Sequence, residues 1–184
     1  QIARNMAQEL GECLHLNEPV HSINFHATET VVTTCLAQYR AKRVIVAVPP
    51  TLIHRISFTP ALPSPQAALH NRVNMGSVIK FWVAYSTPFW RQQGFNGSIV
   101  RDDKPASPCF DVSPPDSKLG LIAGFFEADH ALHASDSSKE TRRQQVISML
   151  AEHFGAQALQ PVDYIDEDWT QEEWSKGCYG AFAP

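Results

Sequence analysis

A cluster of prolines is the feature that most constrains what this chain can fold into. Pro49 and Pro50 end a run of β-branched residues, and Pro60, Pro63 and Pro65 follow soon after. Proline lacks a backbone N–H and disfavours helical backbone in the residue before it, so this stretch must be extended or turning. The cluster therefore predicts a boundary between two structural regions near residue 49.

The region before the prolines predicts one short helix and a small antiparallel meander. Ile2, Met6 and Leu10 recur at helical spacing, and Gly11 is placed to end the helix. Runs rich in β-branched residues predict strands at 13–16, 20–26, 30–36 and 43–48. Residues 44–48 are apolar at every position, so we expect this last strand to be covered on both sides.

The region after the prolines predicts a sheet with helices packed on it. A helix is expected at 64–73, a loop at 88–90, and strands at 76–86, 97–101, 109–112, 119–126 and 161–169. Two further helices are expected at 127–134 and 138–154, the second with Ser138 as its N-cap and Gly155 after its end. The predicted fold class is α+β, with a mixed, mainly antiparallel sheet flanked by helices.

Composition narrows the function classes. A hydrophobic content of 43% is enough for a core and excludes a disordered chain. With 15 Lys+Arg against 19 Asp+Glu, the net charge of -4 gives no reason to expect a nucleic-acid partner. The apolar runs fall far short of the roughly 20 residues that a membrane span needs, so no membrane segment is expected.

The cysteines and the first residues indicate the compartment. Cysteines at positions 13, 35, 109 and 178 form no C-x-x-C pair, and we interpret them as reduced thiols. Residues 1–10 lack the apolar core of a secretion signal. Together these features predict a cytoplasmic protein.

Two histidines are spaced as a metal ligand pair would be. His130 and His133 lie at helical spacing, with only Glu127 and Asp129 as further candidate ligands nearby. Such a set is more typical of a solvated helix face than of a ligand sphere. No metal site is expected.

Two residues stand out as chemically unusual for their surroundings. Lys80 lies within an apolar strand. A buried ammonium without a partner would lose about several kcal/mol of hydration free energy. The alternative is an edge position with the charge reaching water. Cys178 lies between Gly177 and Tyr179, which leaves it accessible to a bulky partner, although a lone cysteine also serves as a small apolar residue.

Several short motifs, taken in order, carry a family resemblance along nearly the whole chain. They are Glu18-Pro19-Val20, Val48-Pro49-Pro50-Thr51-Leu52, Phe58-x-Pro60-x-Leu62-Pro63, Met75-Gly76-Ser77-Val78-Ile79-Lys80, Pro88-Phe89-Trp90-Arg91, Gly124-Phe125 and Trp169-x-x-Glu172-x-Trp174-Ser175-x-Gly177-Cys178-Tyr179. In this order and spacing, the chain resembles the middle and later part of a flavin-dependent amine oxidase of the monoamine oxidase type.

The resemblance implies an activity for the full-length parent. Family members bind FAD and oxidise a primary or secondary amine to an imine, which hydrolyses to an aldehyde and ammonia or an amine. Molecular oxygen is reduced to hydrogen peroxide. The implied partners are therefore a small-molecule amine and oxygen, with homodimer formation left open.

The resemblance also implies roles for individual residues. Lys80 resembles the family lysine that holds a water against the flavin N5, and Tyr179 resembles one wall of the aromatic cage around the substrate amine. Cys178 matches the cysteine that forms a thioether to the flavin in the monoamine oxidases, a bond that many bacterial relatives lack. For the remaining positions, Val20 and Trp169 resemble FAD-contacting residues, and Val100, Phe110 and Phe125 resemble residues lining the substrate cavity.

The family's G-x-G-x-x-G dinucleotide fingerprint is missing from this sequence. We therefore interpret the chain as a fragment, inactive by itself. Residues 1–49 are predicted to belong to the FAD domain and 50–160 to the substrate domain. Residues 161–184 are predicted to return toward the FAD domain.

Two alternatives remain at this point. One is a non-catalytic α+β binding module that has lost its flavin, which would have no use for a lysine and a Cys-Tyr pair in these positions. The other is a polyamine or amino acid oxidase of the same superfamily. An amino acid oxidase needs a cation for the substrate carboxylate, and Arg72, Arg91 and Arg101 are the candidates.

Overall fold

The computed structural model describes residues 2–183. The chain forms two compact units, and the boundary between them falls between Arg72 and Val73. The first unit carries the proline cluster, and the second carries all but one of the predicted site residues. The assignment of 1–49, 50–160 and 161–184 to parts of a larger protein stays a prediction.

The described part of the first unit contains two α-helices, two 3₁₀ helices (Gly11–Cys13 and Pro50–Arg55) and one four-stranded sheet. Helix α1 (Ile2–Leu10) ends at Gly11, whose φ of 51° places it in the left-handed region that favours glycine. The strands are β1 (Val20–Phe25), β2 (Thr30–Thr34), β3 (Gln38–Ala41) and β4 (Ser57–Thr59), in the order β3-β2-β1-β4. The first three form the expected antiparallel meander, while β4 pairs with β1 in parallel. Helix α2 (Ser64–His70) follows and confirms the predicted helix.

Two strand predictions in this unit are wrong. Residues 43–48 form no strand, and instead of being covered on both sides, Ile45 is 93% exposed. β-branched residues make a strand only where a neighbour supplies ladder hydrogen bonds, and no strand among residues 2–183 pairs with this segment. Residues 13–16 form no strand either, since a 3₁₀ turn covers Gly11–Cys13. The third strand of the meander is 38–41, which lies between the strands predicted at 30–36 and 43–48.

The second unit is built on an antiparallel sheet covered on one side by helices. Its main sheet contains β6 (Val78–Tyr85), β7 (Cys109–Asp111), β8 (Gly120–Glu127) and β9 (Asp163–Asp168), in the order β7-β8-β6-β9. A two-stranded ribbon pairs β5 (Asn74–Met75) with β10 (Ala181–Phe182). The helices are α3 (Phe89–Gln92), α4 (Ala128–Ser135) and α5 (Lys139–Phe154). The predicted α+β fold class is confirmed.

The helix ends of this unit follow from local sequence. The Ser138 hydroxyl accepts a hydrogen bond from the Thr141 amide at 3.1 Å, which caps α5 as predicted. Gly155, with φ of 82°, follows the last turn. The loop expected at 88–90 is wrong, because α3 begins at Phe89. Near 97–101 only Ile99 bridges to Cys109, so the predicted strand there is reduced to one pair.

Strand β6 separates the core from the outer face of the sheet. Ile79, Phe81, Val83 and Tyr85 are at most 3% exposed and belong to the main core, together with Val146, Leu150 and other α5 residues. Lys80, Trp82 and Ala84 alternate with them and are half-buried on the opposite side. Because side chains alternate between the two faces of a strand, every second residue of β6 faces the core and the others are accessible on the outer face.

No helix within residues 2–183 is both long enough and apolar enough to span a bilayer.

Candidate functional site

The site is built around Lys80, at the middle of β6. Strand β6 lies between β8 and β9, and Lys80 is directly opposite Phe125 on one neighbour and Glu167 on the other. The alternative of an edge position is therefore wrong. A central strand has its backbone fixed on both sides, so the lysine stem starts from a rigid position.

The Lys80 ammonium contacts aromatic rings. Its Nζ lies 4.7 Å from the ring centroid of Trp82 and 5.4 Å from that of Phe125, both within the range of a cation–π interaction. Among residues 2–183 no carboxylate forms an ion pair with it. The charge is thus held on the outer face without being neutralised.

The segment containing Cys178 and Tyr179 packs closely against the chain just before β6. The Cys178 amide donates to the Gly76 carbonyl oxygen at 2.9 Å, and the Gly76 amide donates to the Gly180 carbonyl oxygen at 3.0 Å. Gly177 is buried with φ of 132°, and a Cβ added there would lie 2.4 Å from the Gly76 oxygen. Glycine is needed at both positions because the two backbones nearly touch.

Cys178 is half-buried and lies within electrostatic range of Lys80 and Glu127. Burial raises the pKa of its thiol, the positive charge of Lys80 opposes the rise, and the negative charge of Glu127 adds to it. The thiol is therefore protonated at neutral pH. Glu127 ends β8, two residues after Phe125, and so shares its face of the strand.

Tyr179 extends the aromatic surface around Lys80. Its ring centroid lies 5.7 Å from that of Phe125, edge to face, and 65% of its surface is exposed. Partial burial raises the pKa of its phenol to about 12, and the charges of Glu127 and Cys178 contribute to the rise. The phenol is neutral over the range in which enzymes work.

Two of the three residues expected to line a substrate cavity share the outer face. Phe125 is opposite Lys80, and Phe110 on β7 is opposite Ala123, two residues from Phe125 along β8. Val100 follows the buried Ile99 and is 76% exposed. The structure thus brings Phe110 and Phe125 to one face with Lys80, and it leaves Val100 in an adjacent exposed loop.

The two remaining predicted residues, Trp169 and Val20, belong to other segments of the chain. Trp169 is the first residue after β9, and its amide donates to the Val78 carbonyl oxygen at 3.1 Å, beside the start of β6. Val20 belongs to the first unit, where it begins β1 opposite Thr34. Just before it, the Glu18 carboxylate accepts hydrogen bonds from the hydroxyls of Tyr39 (2.8 Å) and Thr34 (2.9 Å), which lower its pKa.

The sequence analysis missed two residues that belong to this face. Trp82 lies one alternation beyond Lys80, and Ile165 is directly opposite Trp82 on β9. They border a cavity of about 270 Å³, lined by Trp82, Ala84, Leu121, Asp163, Tyr164 and Ile165. Alternation along β6 was the available signal, since a residue two positions from Lys80 must share its face.

No group of three or more His, Cys, Asp or Glu residues within the described part of the chain, His130 and His133 included, is arranged to hold a metal ion.

Comparison with known proteins decides the family. The sequence model of the flavin containing amine oxidoreductase family matches residues 1–184. This chain belongs to that family. The chain is 38% identical to a flavin-containing amine oxidase of Danio rerio over 188 residues, and 38% identical to an L-amino acid dehydrogenase of Synechocystis over 184 residues. Both alignments cover 100% of the chain.

Solved structures agree with the sequence comparison. A putrescine oxidase with bound putrescine superposes with a TM-score of 0.93 at 33% identity, over 100% of this chain. The chain spans 36% of the Danio rerio protein, 39% of the Synechocystis protein and 41% of the putrescine oxidase. The family implies FAD in the parent protein.

Proposed function

We propose that the full-length parent oxidises a small primary or secondary amine to an imine and passes the electrons to molecular oxygen. The observation that carries this proposal is the placement of the Lys80 ammonium and the aromatic rings of Phe125 and Tyr179 on one face, beside Cys178. We propose that residues 1–49 and 161–184 complete an FAD domain and that 50–160 form the substrate domain.

The residues present fit a flavin. An ammonium with no carboxylate partner is suited to holding a water or developing negative charge at the edge of a flavin ring. A half-buried thiol at the same end of the face is suited to lying against that ring. When bound, FAD supplies the two-electron acceptor for the amine and the donor for oxygen. Lys80 and Cys178 are the residues we assign to it here, with Val20 and Trp169 assigned from the resemblance.

The aromatic rings would bind and orient the amine. Tyr179 and Phe125 present a ring edge and a ring face 5.7 Å apart, and a ring face attracts a substrate nitrogen. Phe110, 40% exposed, extends the apolar surface, and Val100 would border it. Such a surface suits the alkyl or aryl part of an amine. It offers nothing to the carboxylate of an amino acid, and this favours an amine as the substrate.

Two of the three candidate carboxylate-binding arginines support the same choice. Arg91 Nε is 2.7 Å from Asp111, and Arg101 pairs with Asp103 and with Glu152. An arginine already paired with a carboxylate offers less to a substrate carboxylate. Arg72 ends the first unit and is not paired with a carboxylate in the described part of the chain.

The deciding experiment measures visible absorbance and intact mass of the full-length parent before and after acid precipitation. We expect a yellow protein. Colour that stays with the precipitate and adds one FAD to the mass would place the cofactor on Cys178, and a Cys178→Ala control should then release it. Colour released to the supernatant would keep the oxidase without the covalent bond. A colourless parent that cannot be reconstituted with FAD would contradict the proposal and favour a binding module.

Substrate class is tested on the same protein by hydrogen peroxide formation. We expect turnover of alkyl or aryl amines and none of the matching α-amino acids. The reverse preference would overturn the amine assignment while leaving the flavin family intact.

A further inference from the structure

We propose that Trp82 is a positioning residue for Lys80, holding the ammonium over its indole face so that N–H donors stay available to other groups and are not taken up by a carboxylate. The proposal rests on the function proposed above for Lys80. It assigns a role to a residue that neither composition nor motif spacing distinguished.

The geometry makes Trp82 the nearer of the two rings that contact the ammonium. Trp82 lies two residues beyond Lys80 on β6, so both side chains emerge on the outer face. The Nζ is 4.7 Å from the Trp82 centroid and 5.4 Å from the Phe125 centroid. Indole has the strongest attraction for a cation among the aromatic side chains.

Nearby carboxylates do not take this role. Glu167 is directly opposite Lys80 on β9, and Glu127 is close enough to affect Cys178, yet neither forms an ion pair with Lys80. Glu167 is exposed, where an ion pair with a lysine gains little. The half-buried indole ring therefore sets the position of the ammonium.

The kind of contact matters for chemistry. A carboxylate would accept hydrogen bonds from the ammonium and offset its positive charge. A ring face attracts the ammonium without carrying a negative charge of its own. Held in this way, Lys80 keeps N–H donors for a water or a reacting oxygen. Trp82 would thus act on the reaction through Lys80, without touching substrate.

The first test is a double-mutant cycle in the full-length apoprotein, with unfolding by urea as the measurement. The variants are Lys80→Met, Trp82→Leu and the combination. We expect a coupling of about five-fold in the unfolding equilibrium constant, as for a cation–π contact of about 1 kcal/mol. A coupling indistinguishable from one-fold would overturn the contact, whatever Lys80 does in catalysis.

The second test measures reoxidation of the reduced flavoprotein by oxygen, and separately its reduction by amine. Trp82→Leu should slow reoxidation about five-fold or more and leave reduction within about two-fold, because only the position of Lys80 is disturbed. Trp82→Phe keeps a ring face and should restore most of the rate. Phe95→Leu is the matched control, because it removes a half-exposed ring that contacts Phe154 and is not part of the site, and it should reoxidise normally.

The outcomes separate this proposal from the one it rests on. If Lys80→Met slows reoxidation but Trp82→Leu does not, Trp82 is not a positioning residue. If Lys80→Met reoxidises normally, the function proposed for Lys80 fails and the catalytic part of this proposal fails with it, while the unfolding cycle still decides the contact. If Phe95→Leu is as slow as Trp82→Leu, loss of any ring contact in this unit slows reoxidation, and the specific role is overturned.

Discussion

Gly76 and Cys178 are hydrogen-bonded backbone to backbone: the Cys178 amide donates to the Gly76 carbonyl oxygen at 2.9 Å. The two segments of the chain approach too closely for any side chain at residue 76. This contact ties the segment at the end of the second unit to a residue two positions before β6. Because Lys80 lies on β6, it also fixes the position of Cys178 and Tyr179 relative to the ammonium.

A methyl group at residue 76 should therefore separate these residues. In Gly76→Ala the new Cβ would lie 2.4 Å from the Cys178 oxygen, so one backbone must move. We expect a loss of amine oxidation and weaker flavin retention in the full-length protein, measured by peroxide formation and by the ratio of flavin to protein absorbance. Gly180→Ala is the control, since a Cβ there meets nothing within 4 Å. Equal activity in both variants would contradict the argument.

Replacing Lys80 tests its charge directly. Met keeps the length and apolar character of the lysine stem, so Lys80→Met should fold and bind flavin. Loss of a preorganised charge should slow reoxidation by oxygen on the order of a hundred-fold. Stopped-flow mixing of reduced protein with oxygen gives the rate, and an unchanged rate would remove Lys80 from the oxidative half-reaction.

Tyr179 should act through its ring and not through its proton. Burial raises the pKa of the phenol to about 12, so it stays protonated from neutral pH up to about 10, and no activity change in that range should come from its ionisation. Tyr179→Phe should keep kcat/KM within about three-fold, with the same pH profile. Tyr179→Leu should lower kcat/KM about five- to ten-fold without loss of flavin, as for removal of a ring face from a cation or amine. Equal loss of flavin and turnover would mean that Tyr179 only packs.

Much of this fold could be predicted from local sequence. Ser138 and Gly155 mark the ends of α5 because a cap hydroxyl and a left-handed glycine act within a few residues of the chain. Residues 43–48 could not be predicted in this way. An apolar β-branched run specifies the ability to pair, but whether a partner is present depends on residues elsewhere.

The residues of the candidate site also differ in how far the sequence indicates them. Lys80 stood out because a charge in an apolar strand conflicts with its surroundings, and Cys178 because it follows a glycine. Tyr179 stood out only through resemblance to a family. Trp82 did not stand out, since an aromatic residue in a strand is ordinary. The distance between Lys80 Nζ and the indole ring shows the contact with the ammonium, and the pairing register places Ile165 opposite Trp82.

The buried ion pair between α5 and β9 should matter for stability and not for chemistry. Asp166 is 2% exposed at its side chain and Arg142 is 11% exposed, with 2.7 Å between Asp166 Oδ2 and Arg142 Nε. The Tyr164 hydroxyl donates to the same carboxylate at 3.0 Å. Phe81, opposite Asp166 in the register, shares its inner face, so the pair lies on the side of the sheet away from Lys80.

Removing one partner would leave the other charge buried. Asp166→Ala should lower the free energy of unfolding by about 3 to 5 kcal/mol, because the Arg142 guanidinium loses its main acceptor. Arg143→Ala is the control one residue along α5, since Arg143 pairs with the exposed Glu140, and it should cost less than about 1 kcal/mol. Urea unfolding of the full-length protein gives both values. Similar values for the two variants would mean that the buried pair contributes no more than a surface pair, and that apolar packing alone joins α5 to the sheet.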